Sequence, residues 1–119
     1  MKYKITEAHN NNNPIPLTIN RGTRVKLGER SDGIESWPNW IHCCTLDGTS
    51  EGWAPVQLIQ IEDEYGIALE DYSAKELVVV KGDIVEGNIE LNGWIWCNKL
   101  HGLEKGWLPK EKMTTIADL

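Results

Sequence analysis

The side chains best able to bind a metal or attack an electrophile are gathered in two short stretches: His42, Cys43 and Cys44, and Cys97 with His101. A zinc site needs several such ligands converging, commonly with Cys-x-x-Cys spacing, and the chain has no such spacing. Adjacent residues of a strand point to opposite faces, so Cys43 and Cys44 are not expected to grip one ion. A nucleophile made of Cys44 and a histidine lacks a nameable third group or oxyanion donor. The expectation is therefore buried Cys43 and Cys97, a solvent-facing Cys44, no metal, no cofactor and no catalytic residues. Three cysteines also make no disulfide framework, which fits a reducing compartment.

Aromatic chemistry is better represented, with six tryptophans and no phenylalanine in 119 residues. So short a chain has little interior for six indoles, and several are expected to be available to a ligand. Their spacing exposes an internal repeat. Trp40 to Pro55 aligns without gaps on Trp94 to Pro109 at an offset of 54, with eight of sixteen positions identical. The identities include Trp40/Trp94, Cys43/Cys97, Gly52/Gly106, Trp53/Trp107 and Pro55/Pro109, a mixture that shared composition does not arrange. Upstream, Leu17–Val25 pairs with Leu77–Val85 at an offset of 60, which places a six-residue insertion between Gly28 and Trp40. Further back, Ile5–His9 pairs with Ala68–Tyr72 and sets His9 opposite Tyr72. Glu62-Asp-Glu64 reads as a very short linker between two copies.

The elements that must position these residues read as strands. Each copy consists of short runs rich in Val, Ile, Trp and Thr, broken by glycine or proline, without helical periodicity. Asp47-Gly48 and His101-Gly102 fit tight hairpins that need positive φ, Gly22 and Gly82 mark another turn, and Pro55 and Pro109 end strands. Alternation puts Ile41 with Cys43, and Ile95 with Cys97, on a core face. Trp40 and Trp94 are then expected to face outward, while Trp53 and Trp107 are expected to be packing aromatics.

The net charge of −6 falls entirely in residues 62–119, which carry six Lys/Arg against twelve Asp/Glu. No basic cluster suits nucleic acid, and a partner with basic residues suits this half better. No apolar run approaches the roughly 20 residues of a membrane span, and the N-terminus lacks the apolar stretch of a signal peptide, so a cytoplasmic protein without membrane contact is expected. Oligomeric state is left open.

The second copy resembles a Src-homology-3 (SH3) domain. Ala68-Leu-Glu-Asp-Tyr72 is similar to the Ala-Leu-Tyr-Asp-Tyr signature, Lys81-Gly-Asp83 to the diverging turn, Trp94-Ile95 to the Trp-Trp pair, and Gly106-Trp-Leu-Pro109 to the Gly-Tyr-Ile-Pro strand end. The repeat extends the resemblance to the first copy, as in bacterial tandem SH3 proteins. It implies an all-β chain of two consecutive small five-stranded barrels, at residues 2–61 and 65–116. It also implies a non-catalytic adaptor whose aromatic and proline platforms hold an extended segment of a partner protein, of which a polyproline II peptide is the usual type. Carried over by residue, the second platform comprises Tyr72, Trp94 and Pro109, with Glu70, Asp71 and Glu76 as anchors for a ligand's basic flank. Glu70 replaces the signature's first tyrosine, and Lys112 stands where a further platform tyrosine is usual. The first platform comprises His9, Trp40, Pro55 and Leu58, with Trp37 nearby in the insertion. A bacterial barrel of related type that stacks sugars of the cell wall is the alternative.

Overall fold

The computed structural model describes residues 1–11, 15–31 and 39–116. Its strands are β1 (Lys2–Ile5), β2 (Thr18–Ile19), β3 (Arg24–Ser31), β4 (Trp40–Thr45), β5 (Glu51–Pro55), β6 (Ile59–Glu62), β7 (Tyr65–Ala68), β8 (Tyr72–Ser73), β9 (Ile84–Leu91), β10 (Trp94–Lys99), β11 (Lys105–Pro109) and β12 (Met113–Thr115). Helix among the described residues is limited to 3-10 turns at Val56–Leu58 and Lys110–Lys112, each following a strand-ending proline. The all-β class is as expected. The strands form antiparallel sheets of five, two and five, and no strand pairing among the described residues closes a sheet into a ring.

The chain condenses into two compact units that are not its two halves. One unit is continuous, Ile15–Ala74; the other joins Met1–Pro14 to Lys75–Leu119. The continuous unit holds the ladder β5-β4-β3-β7-β6 together with the β2-β8 pair, and the discontinuous unit holds β11-β10-β9-β1-β12. The boundaries read from the sequence, 2–61 and 65–116, do not coincide with these units. The first strand lies in the ladder of the second Trp-initiated segment, with Tyr3 opposite Val85 and Thr115. Conversely β7 lies in the ladder of the first segment, with Gly66 opposite Val25 and Ile61. Glu62-Asp-Glu64 is accordingly no linker. Glu62 pairs with Tyr65, and Asp63, at φ 57°, makes the tight turn of the β6–β7 hairpin inside one unit. Asp is one of the few residues that tolerates this left-handed conformation, which the acidic character of the triplet concealed.

Within each unit the register repeats. Trp40 faces Pro55 and Trp94 faces Pro109; Ser31 faces Trp40 and Leu91 faces Trp94. Ile59 faces Ala68 as Met113 faces Ile5, so Ile5 and Ala68 hold corresponding places, as their alignment implies. The β9–β10 connection is the two-residue turn Asn92-Gly93, with φ of 51° and 86°, the positive pair that a primed hairpin turn requires. Gly48 has the expected positive φ, whereas Gly102 does not. The loop from Leu100 to Glu104 is long enough to turn without it, closing through Lys99 N–H to the Glu104 carbonyl at 3.2 Å.

The core of the discontinuous unit is Ile5, Leu77, Val79, Val85, Ile95, Cys97, Leu108 and Met113, with Tyr3 packed against it. Ile41 and Cys43 are likewise buried in the continuous unit, so the cysteine face is the inner one in both. A reciprocal fit accompanies the placement of β1 and β7. A Cβ on Gly87 would stand 2.5 Å from the Tyr3 ring, and a Cβ on Gly66 would meet Ile59 at 2.5 Å and Leu27 at 3.0 Å. Tyr3 and Gly66 occupy corresponding positions, as do Gly87 and Leu27. The large side chain thus comes from β1 in one unit and from β3 in the other.

Candidate functional site

In the discontinuous unit His9 and Trp94, expected in two different platforms, come together although they belong to different sequence copies. Trp94 opens β10 opposite buried Pro109 and is itself half-buried. His9 is held by a two-way backbone bridge to Val79, with both N···O distances 3.0 Å. Its ring meets the Trp94 indole edge-on, with centroids 5.7 Å apart and planes at 77°, an arrangement in which a ring edge meets the π face. Glu76 is fixed by the pairing of its segment with β11, where Trp107 N–H donates to the Lys75 carbonyl and Leu77 N–H to the Trp107 carbonyl.

These fixtures create a chain of polar groups. His9 Nε2 lies 2.7 Å from Glu76 Oε1, and Lys112 Nζ lies 3.0 Å from His9 Nδ1 and 3.3 Å from the Ala8 carbonyl oxygen. A lysine ammonium has only donors, so Nδ1 must be the accepting nitrogen and the ring proton sits on Nε2, donating to Glu76. The carboxylate expected to anchor a ligand's basic flank is thus already engaged by His9. Sequence reasoning placed Lys112 at a vacant platform position and gave it no role; that it would reach His9 depends on β1 joining this unit.

The continuous unit assembles Trp40, Pro55, Glu70, Asp71 and Tyr72. Tyr72, on β8, is buried and donates its hydroxyl to the Trp53 carbonyl at 3.0 Å. Trp40 lies opposite buried Pro55 but is only 8% exposed, which corrects the expectation of an outward, available indole. Alternation along a strand decides the side a residue takes and not how far that side is covered, since Trp94 in the same register beside Pro109 is only half-buried. The Trp40 Nε1 atom is buried with no hydrogen-bond acceptor among the described residues. Glu70 is exposed; Asp71 is exposed too, but its Oδ1 accepts the Arg21 backbone N–H at 2.8 Å. Tyr72 and Trp94, read as one platform, lie in different units, as do His9 and Trp40. Trp37 falls outside the described residues.

The paired aromatics on β5 and β11 differ between the units. Trp107 is buried at 6% exposure and meets Trp96 edge-on at 5.4 Å, as a packing aromatic does. Trp53 is 41% exposed and meets His42 edge-on at 5.5 Å. The expectation of a packing role therefore fits Trp107 and not Trp53, whose strand partner is the smaller His42. Cys43 and Cys97 are free, buried thiols; burial pushes them up to about 11 and about 12, which keeps both protonated and poor nucleophiles at neutral pH. Cys44 is half-buried, with its thiol 3.4 Å from the Thr45 carbonyl oxygen. Among the described residues no three His, Cys, Asp or Glu side chains are grouped to hold a metal, and no helix is long and apolar enough to cross a membrane.

Regrouping the segments also moves the charge. The discontinuous unit has eight Lys/Arg and eight Asp/Glu, whereas Ile15–Ala74 has four against ten. The acidic excess that reads as belonging to the second half therefore resides in the continuous unit. Comparison with known protein families, curated proteins and solved structures returns no match to the chain.

Proposed function

We propose that the protein is a non-catalytic binding module of two SH3-like units, with a platform in the discontinuous unit that holds an extended segment of a partner protein. The observation that carries this reading is the half-buried Trp94 set beside buried Pro109 and buttressed edge-on by His9. A rigid indole next to an apolar step suits an extended chain, which loses little conformational entropy on docking. The SH3 resemblance of the second Trp-initiated segment and the shared register of the two units support the same reading. The strong acidity of Ile15–Ala74 suits a partner with a basic stretch, for which Glu70 is an available carboxylate. A cytoplasmic setting accords with the reduced thiols.

Amide and indole NMR shifts of the full chain, titrated with a panel of proline-containing and proline-free extended peptides, test the proposal. Saturable shifts at Trp94, His9 and Pro109 neighbours that vanish in Trp94→Ala are expected. A panel that moves none of these signals defeats it. Sugar stacking is a second reading favoured by one observation, the 41% exposure of Trp53. Retention on purified peptidoglycan that disappears in Trp53→Ala is its distinguishing result.

A further inference from the structure

The platform of the discontinuous unit carries a cation where a basic ligand would need an anion. Glu76, the nearest carboxylate to the platform histidine, accepts from His9 Nε2 at 2.7 Å. Lys112 closes the other side of the ring, spending one N–H on His9 Nδ1 and one on the Ala8 carbonyl. An ammonium has three N–H groups, so one is left over among the described residues. Lys112 is half-buried and therefore only partly screened by solvent, and it lies one imidazole ring away from Trp94. Lys110, its neighbour on the same 3-10 turn, is paired with Glu90 at 3.3 Å and is not the competing cation. Other carboxylates near this wall are exposed: Glu7 precedes the His9 bridge, and Glu111 lies on the turn itself.

We infer that this platform selects a ligand carboxylate, read by Lys112, and that His9 positions the ammonium by accepting a hydrogen bond from one of its N–H groups. The inference rests on the peptide-binding reading and adds the charge of the residue that docks beside Trp94. It assigns opposite preferences to the two units, because Ile15–Ala74 has the acidic excess and the discontinuous unit has none. A half-buried Lys–carboxylate contact is modest, and a preference of about five- to tenfold is the scale to expect.

The test uses the full chain and matched extended peptides, chosen from those that shift Trp94, with Glu, Gln or Arg at the position nearest that residue. The Glu and Arg peptides are amidated, and the Gln peptide is made both amidated and as the free acid, which separates a side-chain from a terminal carboxylate. Binding is followed at the Trp94 indole N–H. Tighter binding of either carboxylate-bearing peptide than of the amidated Gln peptide, lost in Lys112→Met, restored in Lys112→Arg and kept in Lys81→Met, supports the inference. Equal affinities, or an Arg preference, overturn it while leaving peptide binding intact. If no peptide shifts Trp94, the binding reading itself fails and this inference with it. Long-range ¹⁵N correlation of His9 gives an independent check, since a proton found on Nδ1 in the neutral ring overturns the positioning role even if Lys112→Met is poorly folded.

Discussion

Trp40 shows how far a single residue can depart from what its neighbours in sequence suggest. Its strand and side follow from alternation, but its burial depends on what covers that side, which one sequence does not disclose. The Nε1 atom is buried without an acceptor among the described residues, and a donor so left loses about 1–3 kcal/mol relative to a satisfied one. Trp40→Phe removes that donor while keeping most of the ring. The melting temperature is therefore expected to hold or rise, and calorimetry of the two proteins decides it. Asp47 offers a second residue-scale prediction. Thr49, through its side chain and backbone, and the Thr45 hydroxyl hydrogen-bond its carboxylate and lower it from 3.8 to about 2. A lowered folded value means that its stabilisation is complete above the ordinary value and is lost as pH falls through about 2. Thermal melts between about pH 5 and about pH 2, the range of that titration, are expected to converge for wild type and Asp47→Asn at the acid end. A constant gap at every pH would contradict this. The cysteine face, by contrast, was readable, because a small apolar thiol alternating with Ile has only one favourable side.

At the scale of elements, the strands and most turns were legible from β-branched and aromatic runs bounded by glycine and proline. Asn92-Gly93 carried the strongest hairpin dipeptide in the chain and could have been recognised as one. What could not be read was which of two corresponding strands enters which ladder, since β1 and β7 each satisfy the same register. Side-chain volume distinguishes them. Placing β7 in the discontinuous unit would set Gly66 beside Gly87 and leave a void where Tyr3 packs; placing β1 in the continuous unit would set Tyr3 against Leu27. Gly87→Leu is therefore expected to destabilise the discontinuous unit by about 1–3 kcal/mol, the usual scale of overpacking. Gly87→Leu combined with Tyr3→Gly is expected to recover part of that loss, a coupling that a double-mutant cycle in urea measures directly. Gly106 makes a stricter demand. A Cβ there would lie 2.6 Å from the Leu77 backbone nitrogen, so Gly106→Ala should loosen the segment carrying Glu76, with faster amide exchange at Leu77 and Trp107 as the readout.

For the whole molecule, two five-stranded antiparallel sheets are present, yet contiguity was the wrong guide to how their strands are grouped. The reason is topological: pairing partners are chosen by fit and register, and neither is ordered by position along the chain. Residues 15–74 contain every strand of one ladder, so that fragment is expected to fold alone with dispersed amide shifts. Residues 62–119 lack β1 and are expected to stay unfolded until a peptide of residues 1–11 is added; cooperative melting of 62–119 by itself would contradict the grouping. The two ends of the discontinuous unit also differ in when they exist. During synthesis β1 emerges first and must remain without its partners until Met113–Thr115 has been made, about 5–20 s later at ordinary elongation rates. The continuous unit is complete well before then, with β7 already seated against β3 and β6. Yet β1 is available to β3 before β7 has been made, so order of birth favours the other grouping, and side-chain volume must overrule it.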